Sequence, residues 1–489
     1  MPQRIEIPLV GGHYKRSQLK VDAQECVNLY PVIDKSGGRF ASLHPVPGLK
    51  EWVDTGEVLQ ETRAMFKFSE TLAYAFIGFT VYRLDQNGSY SKLAGSLVND
   101  SGPLQIITND TQIMILDLND GNGYVIEDGA LSQITAANFP TASSFPTASS
   151  LTYQDGYAIV SEKNTKRFYI STLDTASLAA YDASDFTRWD ALEFEIVGNL
   201  TGTISAIISD HDELWAMGKE QVGFYYNSQN ADFPFTKTQH PFQEVGLGGS
   251  PASIVKLDNS LFWIDVWNNV RKADGYTPII ISTPEISSLI EEYSQISDAF
   301  AFGHRYAGQA FYCITFPSAD KTYCYDVSTG VWHLRSTGLN GGRWRANCYM
   351  KFGRKHLFGD YQHGKIYEFD PDIFTDAGQD MQALRVTRYT DAQRRRVFYH
   401  RLELHMKTGV GNNLAPGDDP QIMLQWSDDG GEHWSREKWA DLGKIGETET
   451  RVIWRKLGRS RERIFRFKIT DSVNRTLIAL YADITVGYE

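Results

Sequence analysis

A chain of 489 residues is long enough for about three ordinary domains, or for one large β architecture with a smaller module. Its 42% hydrophobic and 22% charged residues exclude wholesale disorder, and its net charge of −12 excludes a general polyanion binder. The 26 Phe, 25 Tyr, 11 Trp and 41 Gly point to many short strands joined by tight turns.

The N-terminus offers only the apolar run Ile7-Pro8-Leu9-Val10, too short for a signal-peptide core, and nothing downstream approaches the ~18 apolar residues that span a bilayer. Residues 1–57 read as an extended N-terminal segment. From 58 to 374 one theme recurs: short β-branched or aromatic runs paired across Asn/Asp/Gly turns. Examples are 72–84 with 89–93 around Asp85-Gln86-Asn87-Gly88, and 113–118 with 124–127 around Asn119–Gly123. The same pairing returns near 151–172, 214–227, 261–273, 311–327 and 356–369. Recurrent hairpins at this spacing predict a β-propeller of about six blades, with five or seven allowed by the divergence of the repeats; a series of β-sandwiches is the competing architecture.

Three stretches break the pattern. The duplicated FPTASS of residues 139–150 reads as an exposed linker, and residues 173–185 as a loop with one helical turn. Pro284 followed by Ile286, Leu289, Ile290, Tyr293 and Ile296 has the spacing of an amphipathic helix. Four cysteines without a CxxC are too few for a disulfide scaffold or a zinc site. Cys313 and Cys324 can face each other across a hairpin turning at 317–320, but they read as two reduced strand cysteines of a protein made in a reducing compartment.

Charge divides the chain. Residues 380–489 hold 19 Lys+Arg against 16 Asp+Glu, and the preceding 379 residues hold 29 against 44. The domain boundary is placed at 374–380, with a C-terminal β domain over 380–489. There Leu402, Leu404 and Met406 alternate with Arg401, Glu403, His405 and Lys407, and Phe465, Phe467 and Ile469 alternate with charge, as in an antiparallel sandwich with one wet face.

Ser427, Asp429, Gly431 and Trp434 fit S-x-D-x-G-x-x-W, the Asp-box. Its physics is that of a turn: a carboxylate accepting backbone N–H groups, a glycine free to take positive φ, and a Trp plug beneath the sandwich. Such boxes also occur in sialidase propellers. Here the box occurs once, outside the propeller, and no arginine cluster with an acid/nucleophile pair accompanies it, so it reads as structural. His333, in a strand-like run, reads as a propeller residue rather than a ligand. No HExxH, GxSxG, P-loop or dinucleotide fingerprint occurs, and neither catalytic residues, a metal nor a cofactor is expected. The densest charge run, Arg394-Arg395-Arg396, is echoed by the basic run 455–463. It is either a solvated face or a candidate contact with an acidic neighbour such as a second copy.

Several passages are familiar in this order: Asn28-Leu29-Tyr30-Pro31 with Pro45-Val46-Pro47-Gly48-Leu49; Asp232-Phe233-Pro234-Phe235 with Glu244-Val245-Gly246; Phe311-Tyr312, Thr315-Phe316-Pro317, Thr322–Asp326 and Thr329–His333; then the runs 424–431, 442–447 and 451–458. Together they resemble the packaged-DNA stabilisation proteins of short-tailed bacteriophages, also called tail hub or nozzle proteins. That resemblance implies a structural virion protein with a propeller and added β domains, assembled in the host bacterial cytoplasm into the virion tail. It implies a homohexamer forming a tube below the head-to-tail adaptor, in contact with a tail needle or plug and a tailspike or tail fibre. The tube would retain packaged DNA and pass double-stranded DNA at ejection, without integral membrane association. The competing reading is a propeller that binds or hydrolyses cell-surface glycans during adsorption.

Overall fold

The computed structural model describes residues 3–14, 23–33, 41–139, 145–173, 184–230, 232–413 and 417–487. Its larger part is a ring of seven four-stranded antiparallel sheets. Six blades are each one uninterrupted run of chain: 62–92, 104–133, 148–196, 206–237, 255–280 and 300–335. The seventh is composite. Three strands within 346–370 are completed by a strand from upstream of the first blade, Gly48–Asp54, so the expected count of about six matches the contiguous blades and the ring has one more.

A hydrophobic seam fills each gap between neighbouring blades, because most blade strands are apolar on both faces. Gln309–Phe316 is buried along its whole length. The seam between blades 4 and 5 holds Trp215, Met217, Phe224 and Trp263, and the seam that closes the ring between blades 7 and 1 holds Val53, Met65, Ile77, Phe352 and Leu357. Turn chemistry follows the sequence. Asp155-Gly156 closes the first hairpin of blade 3 with both residues at positive φ, which Gly tolerates freely and Asp better than most residues.

The C-terminal residues form two sheets around a separate core. Val397–Met406 lies between Leu477–Val486 and Val452–Arg455, while Glu462–Ile469 lies between Ala383–Val386 and Gln421–Ser427. Leu402, Leu404, Met406, Phe465, Phe467 and Ile469 all point into that core.

The described residues of the N-terminal segment 1–57 supply strands to both bodies. β1 (Gln3–Ile7) lies on Leu477–Val486, and β3 (Leu29–Ile33) and β4 (Ala41–Pro45) form a hairpin on the same sheet. β2 (Glu25–Val27) pairs with blade 6 at Leu334 and with the sandwich strand Ala383–Val386, so one sheet runs from blade 6 into the sandwich. β5 (Gly48–Asp54) then closes blade 7. The expected boundary also carries structure: Thr375–Asp376 and Gln379–Asp380 pair at the edge of the blade-7 sheet.

Three smaller elements differ from what the sequence pattern predicts. The ends of the duplicated segment are not exposed linker: Phe139 and Ala148 are buried in the seam between blades 2 and 3, and Ala148–Gln154 is the inner strand of blade 3. Its residues 140–144, and 174–183 of the expected helical loop, lie outside the described residues. Cys313 and Cys324 are register partners with Cα atoms 4.2 Å apart and are joined as a disulfide, because direct cross-strand pairing sets their side chains side by side. The amphipathic helix is present as α1 (Pro284–Glu291), capped by Thr283 and burying Ile286 and Ile290, but it ends before Tyr293.

Two buried polar centres hold the bodies together. The Arg385 guanidinium donates to the carbonyl oxygens of Leu9, at 2.7 Å, and Gly12, at 3.0 Å, and to the Gln24 side chain at 2.8 Å. Asn28, at positive φ, donates to the carbonyls of Ser336 in the propeller and Gln382 at the start of the sandwich. Nearby, the buried Arg335 lies over the Trp344 and Phe311 rings and donates to His304 Nε2 at 3.1 Å. Burial first, and then the adjacent guanidinium, holds His304 and His333 well below the usual histidine range. The unfolded chain takes up protons at these imidazoles below about pH 6.5 and the folded chain does not, so stability should be full above that pH and fall as the solution is acidified. Melting temperatures measured from pH 8 to 5 should therefore drop on the acid side, and His333→Gln should flatten that slope.

Candidate functional site

The arginine run sits on a turn between Thr390–Asp391 and Val397–Met406, with Gln393 and Arg394 both at positive φ. Arg394 and Arg395 are exposed and Arg396 is half-buried. Pairing of Val397 with Ser460 and of Phe398 with Arg459 brings the second basic run alongside. Arg461 donates to the Arg394 carbonyl oxygen at 2.7 Å, and the Gly487 N–H to that of Arg396 at 2.8 Å. Two basic runs some sixty residues apart in sequence thus form one cluster at a tip of the sandwich, with Arg459 and Arg461 exposed beside Arg394 and Arg395.

Not every arginine of the second run belongs to that surface. Arg463 is buried, grips the Asp428 carboxylate with two bonds of 2.6 and 2.8 Å, and lies over the Tyr399 and Trp426 rings. Paired, planar and ringed by aromatics, it is a packing element. Asp428, which holds it, stands inside the Asp-box at a position the motif leaves open. A further ion cluster carries no local sequence signature. Glu403 accepts from Arg4 on β1 at 2.9 Å, from Arg451 at 2.6 Å, and from Arg401. Desolvation works against this carboxylate's charge, but the three arginines outweigh it and bring its pKa down to about 2.

In the Asp-box, the Ser427 hydroxyl donates to Asp429 at 2.6 Å and accepts from the Gly431 N–H at 2.9 Å. Asp429 accepts the His433 N–H at 3.0 Å and faces His433 Nδ1 at 2.7 Å. Gly430 and Gly431 are both at positive φ. These bonds, the backbone one foremost, hold the Asp429 carboxyl far below the ordinary range. Trp434 is not the expected plug. It is half-buried, with the Arg466 guanidinium 3.9 Å from its ring centroid. Asp429, Glu432 and His433 are the one grouping of potential metal ligands among the described residues, and two of the three are exposed.

The inner strands of the propeller enclose a cavity of about 930 Å³ whose wall carries Glu61, Arg63, Asp298 and Arg343. These charges mostly bind the ring to itself. Arg63 and Asp117, both fully buried, pair at 2.7 Å; Arg63 also donates to the carbonyls of Gly102 and Asn99 at 2.7 Å, and Glu61 accepts the Gly102 N–H. His333 lies away from this cavity, in the aromatic cluster around Arg335.

A family model described as bacteriophage P22 Gp10, beta-propeller, matches residues 5–374, and one described as bacteriophage P22 Gp10, beta-sandwich, matches residues 382–485. No curated protein matches the chain. Among solved structures, virginiamycin B lyase from Staphylococcus aureus is 14% identical, covering 65% of this chain and 98% of its own at a TM-score of 0.43. The WD40 beta propeller domain of Doa1 is 10% identical, covering 66% and 97%, at a TM-score of 0.39. At these scores neither likeness carries an argument about function.

Asp429→Ala leaves the N–H of His433 and the Ser427 hydroxyl without their protein acceptor at a solvent-accessible turn and should cost about 0.5–1.5 kcal/mol. Trp434→Ala, removing a half-buried ring, should cost less than the ~3–5 kcal/mol of a fully buried one. Thermal melts of the two variants check both magnitudes.

Proposed function

Since the chain belongs to the bacteriophage P22 Gp10 family of phage stabilisation proteins, we propose that it is a tail nozzle: a closed hexameric tube below the head-to-tail adaptor that continues the DNA channel. The observation that carries this reading is the match of the family's propeller and sandwich over residues 5–374 and 382–485. The tube forms in the host bacterial cytoplasm, becomes part of the virion tail, and meets a needle or plug and a tailspike or tail fibre.

Two physical features support it. A closed ring needs two different patches per subunit, since a head-to-tail contact joins unlike surfaces. This chain carries an exposed arginine cluster on the sandwich and an excess of acid in the propeller region, and opposite potentials steer partners and fix their register. β2, hydrogen-bonded to both blade 6 and the sandwich, also ties the two bodies into one sheet.

The second feature concerns DNA. Each phosphate gripped by Lys or Arg adds a barrier to exit, and a protein that neutralises six to ten phosphates loses roughly 10³ to 10⁵ in affinity between 50 and 200 mM salt. A wall of net negative charge repels phosphate instead. Retention then falls to a mechanical plug at the exit, and release to its departure.

Replacing Arg394, Arg395 and Arg396 by Glu should sharply reduce ring formation as read by native mass spectrometry. Unchanged rings would remove this patch from the interface. Fluorescence anisotropy of a labelled duplex at about 150 mM salt should show at most weak, salt-labile binding. Sub-micromolar affinity would instead indicate a clamp that holds the genome by direct contact.

A further inference from the structure

In a four-stranded blade the first and third hairpin turns share one end of the strands and the second turn lies at the other. In blades 2 to 5 the shared end is tipped with acid: Asp110 and Asp128 in blade 2, Asp155 in blade 3, Asp212 in blade 4, Asp258 and Asp274 in blade 5. All six are exposed, and the first five adopt positive φ, the left-handed conformation that places Asp at such turns. The second turns, at the opposite end, mix both signs: Lys163 and Lys166 with Glu162 in blade 3, Lys219 beside Glu220 in blade 4, and Asp120 in blade 2. Acid therefore predominates on the shared-end face of blades 2 to 5.

On that face a groove of about 370 Å³ opens between blades 4 and 5. Its walls bear Asp210, Glu213, Asp258 and Asp274, and its floor includes Trp215 and Tyr276, whose rings stack with an interplanar angle of 13°. Part of this charge is already engaged. Asp258 meets Arg305 at 2.8 Å, Asp210 meets His211 at 2.8 Å, and Glu213 accepts the Tyr276 hydroxyl at 2.9 Å. Asp274 takes part in no ion pair among the described residues, and Lys272 on the wall leans toward the Phe262 ring. Carboxylates converging on a groove are surroundings a guanidinium favours, because its planar fork can bond two of them at once.

We propose that this groove is the receptor for the Arg394–Arg396 turn of an adjacent copy of the chain. The proposal rests on the ring reading above and gives it an interface. The arginine turn belongs to the sandwich and the groove to blades 4 and 5, so the two are different surfaces of one subunit. Their union is a head-to-tail contact, which repeats around a ring instead of stopping at a dimer.

The test uses two full-length variants. The groove variant carries Glu213→Lys and Asp274→Lys, and the turn variant carries Arg394→Glu, Arg395→Glu and Arg396→Glu. Melting curves confirm that both fold. Native mass spectrometry at a concentration where the wild type forms rings should show at least about tenfold fewer rings for either variant alone. Mixed in equal amounts, they leave one intact groove opposite one intact turn, and should give dimers but no rings. Asp155→Lys, on the same face outside the groove, should have a smaller effect. A groove variant that forms rings like the wild type, a mixture without dimers, or an equal effect of Asp155→Lys would overturn the groove. A wild type that stays monomeric would reject the ring and the groove with it, which separates the two failures.

Discussion

The pairing of β5 with Lys365–Asp370 is the constraint on which the rest of the molecule depends. It joins Gly48 to Asp370 and Asp54 to Lys365, completing blade 7 with a strand made before blade 1. Without it the last blade would end in an open edge, with unpaired N–H and C=O groups available to any neighbouring strand. Closing a loop of this length carries a large entropic cost that only long-range contacts recover, so the ring cannot be complete until both ends of the propeller region have met. The same stretch of chain then fixes the second body. β1, β3 and β4 cannot leave the sandwich without disturbing β5 a few residues later, and β2 lies hydrogen-bonded between the two bodies.

Buried arginines are the second means by which this chain is locked. Arg385 ties the N-terminal segment to the sandwich, Arg475 donates to the carbonyls of Met381 and Phe374, and Arg463 clamps Asp428. A guanidinium suits these places because its five donors can satisfy several loop carbonyls at once, where an apolar side chain would leave them unpaired. Formal charge therefore misleads as a map of the surface. The basic balance of residues 380–489 counts arginines that never meet solvent, and the exposed positive charge is concentrated at the 394–396 turn and its neighbours in 455–461.

Acid distribution follows a different logic. The turn aspartates of blades 2 to 5 are where they are for conformational reasons, since Asp tolerates left-handed backbone and bonds locally. An acidic face arises as a by-product of turn chemistry repeated around a ring. A surface that begins this way needs only a complementary basic turn on a neighbour to become a contact, and the arginine cluster is of that kind.

The sequence by itself determined the parts that depend on local rules. Alternating strands, hairpin turns, the capped helix at Pro284 and the apolar face of Leu402, Leu404 and Met406 were legible because periodicity and turn residues act over a few positions. The family was legible too, in short passages preserved in order along the chain. Only the tertiary structure decided the seventh blade, the splicing of the two bodies and the meeting of the 394–396 and 455–461 runs, because strand partners hundreds of residues apart leave no local mark. It also decided which charges face water: Arg463 and Arg394 look alike in sequence, and packing alone buries one against Asp428 and leaves the other exposed.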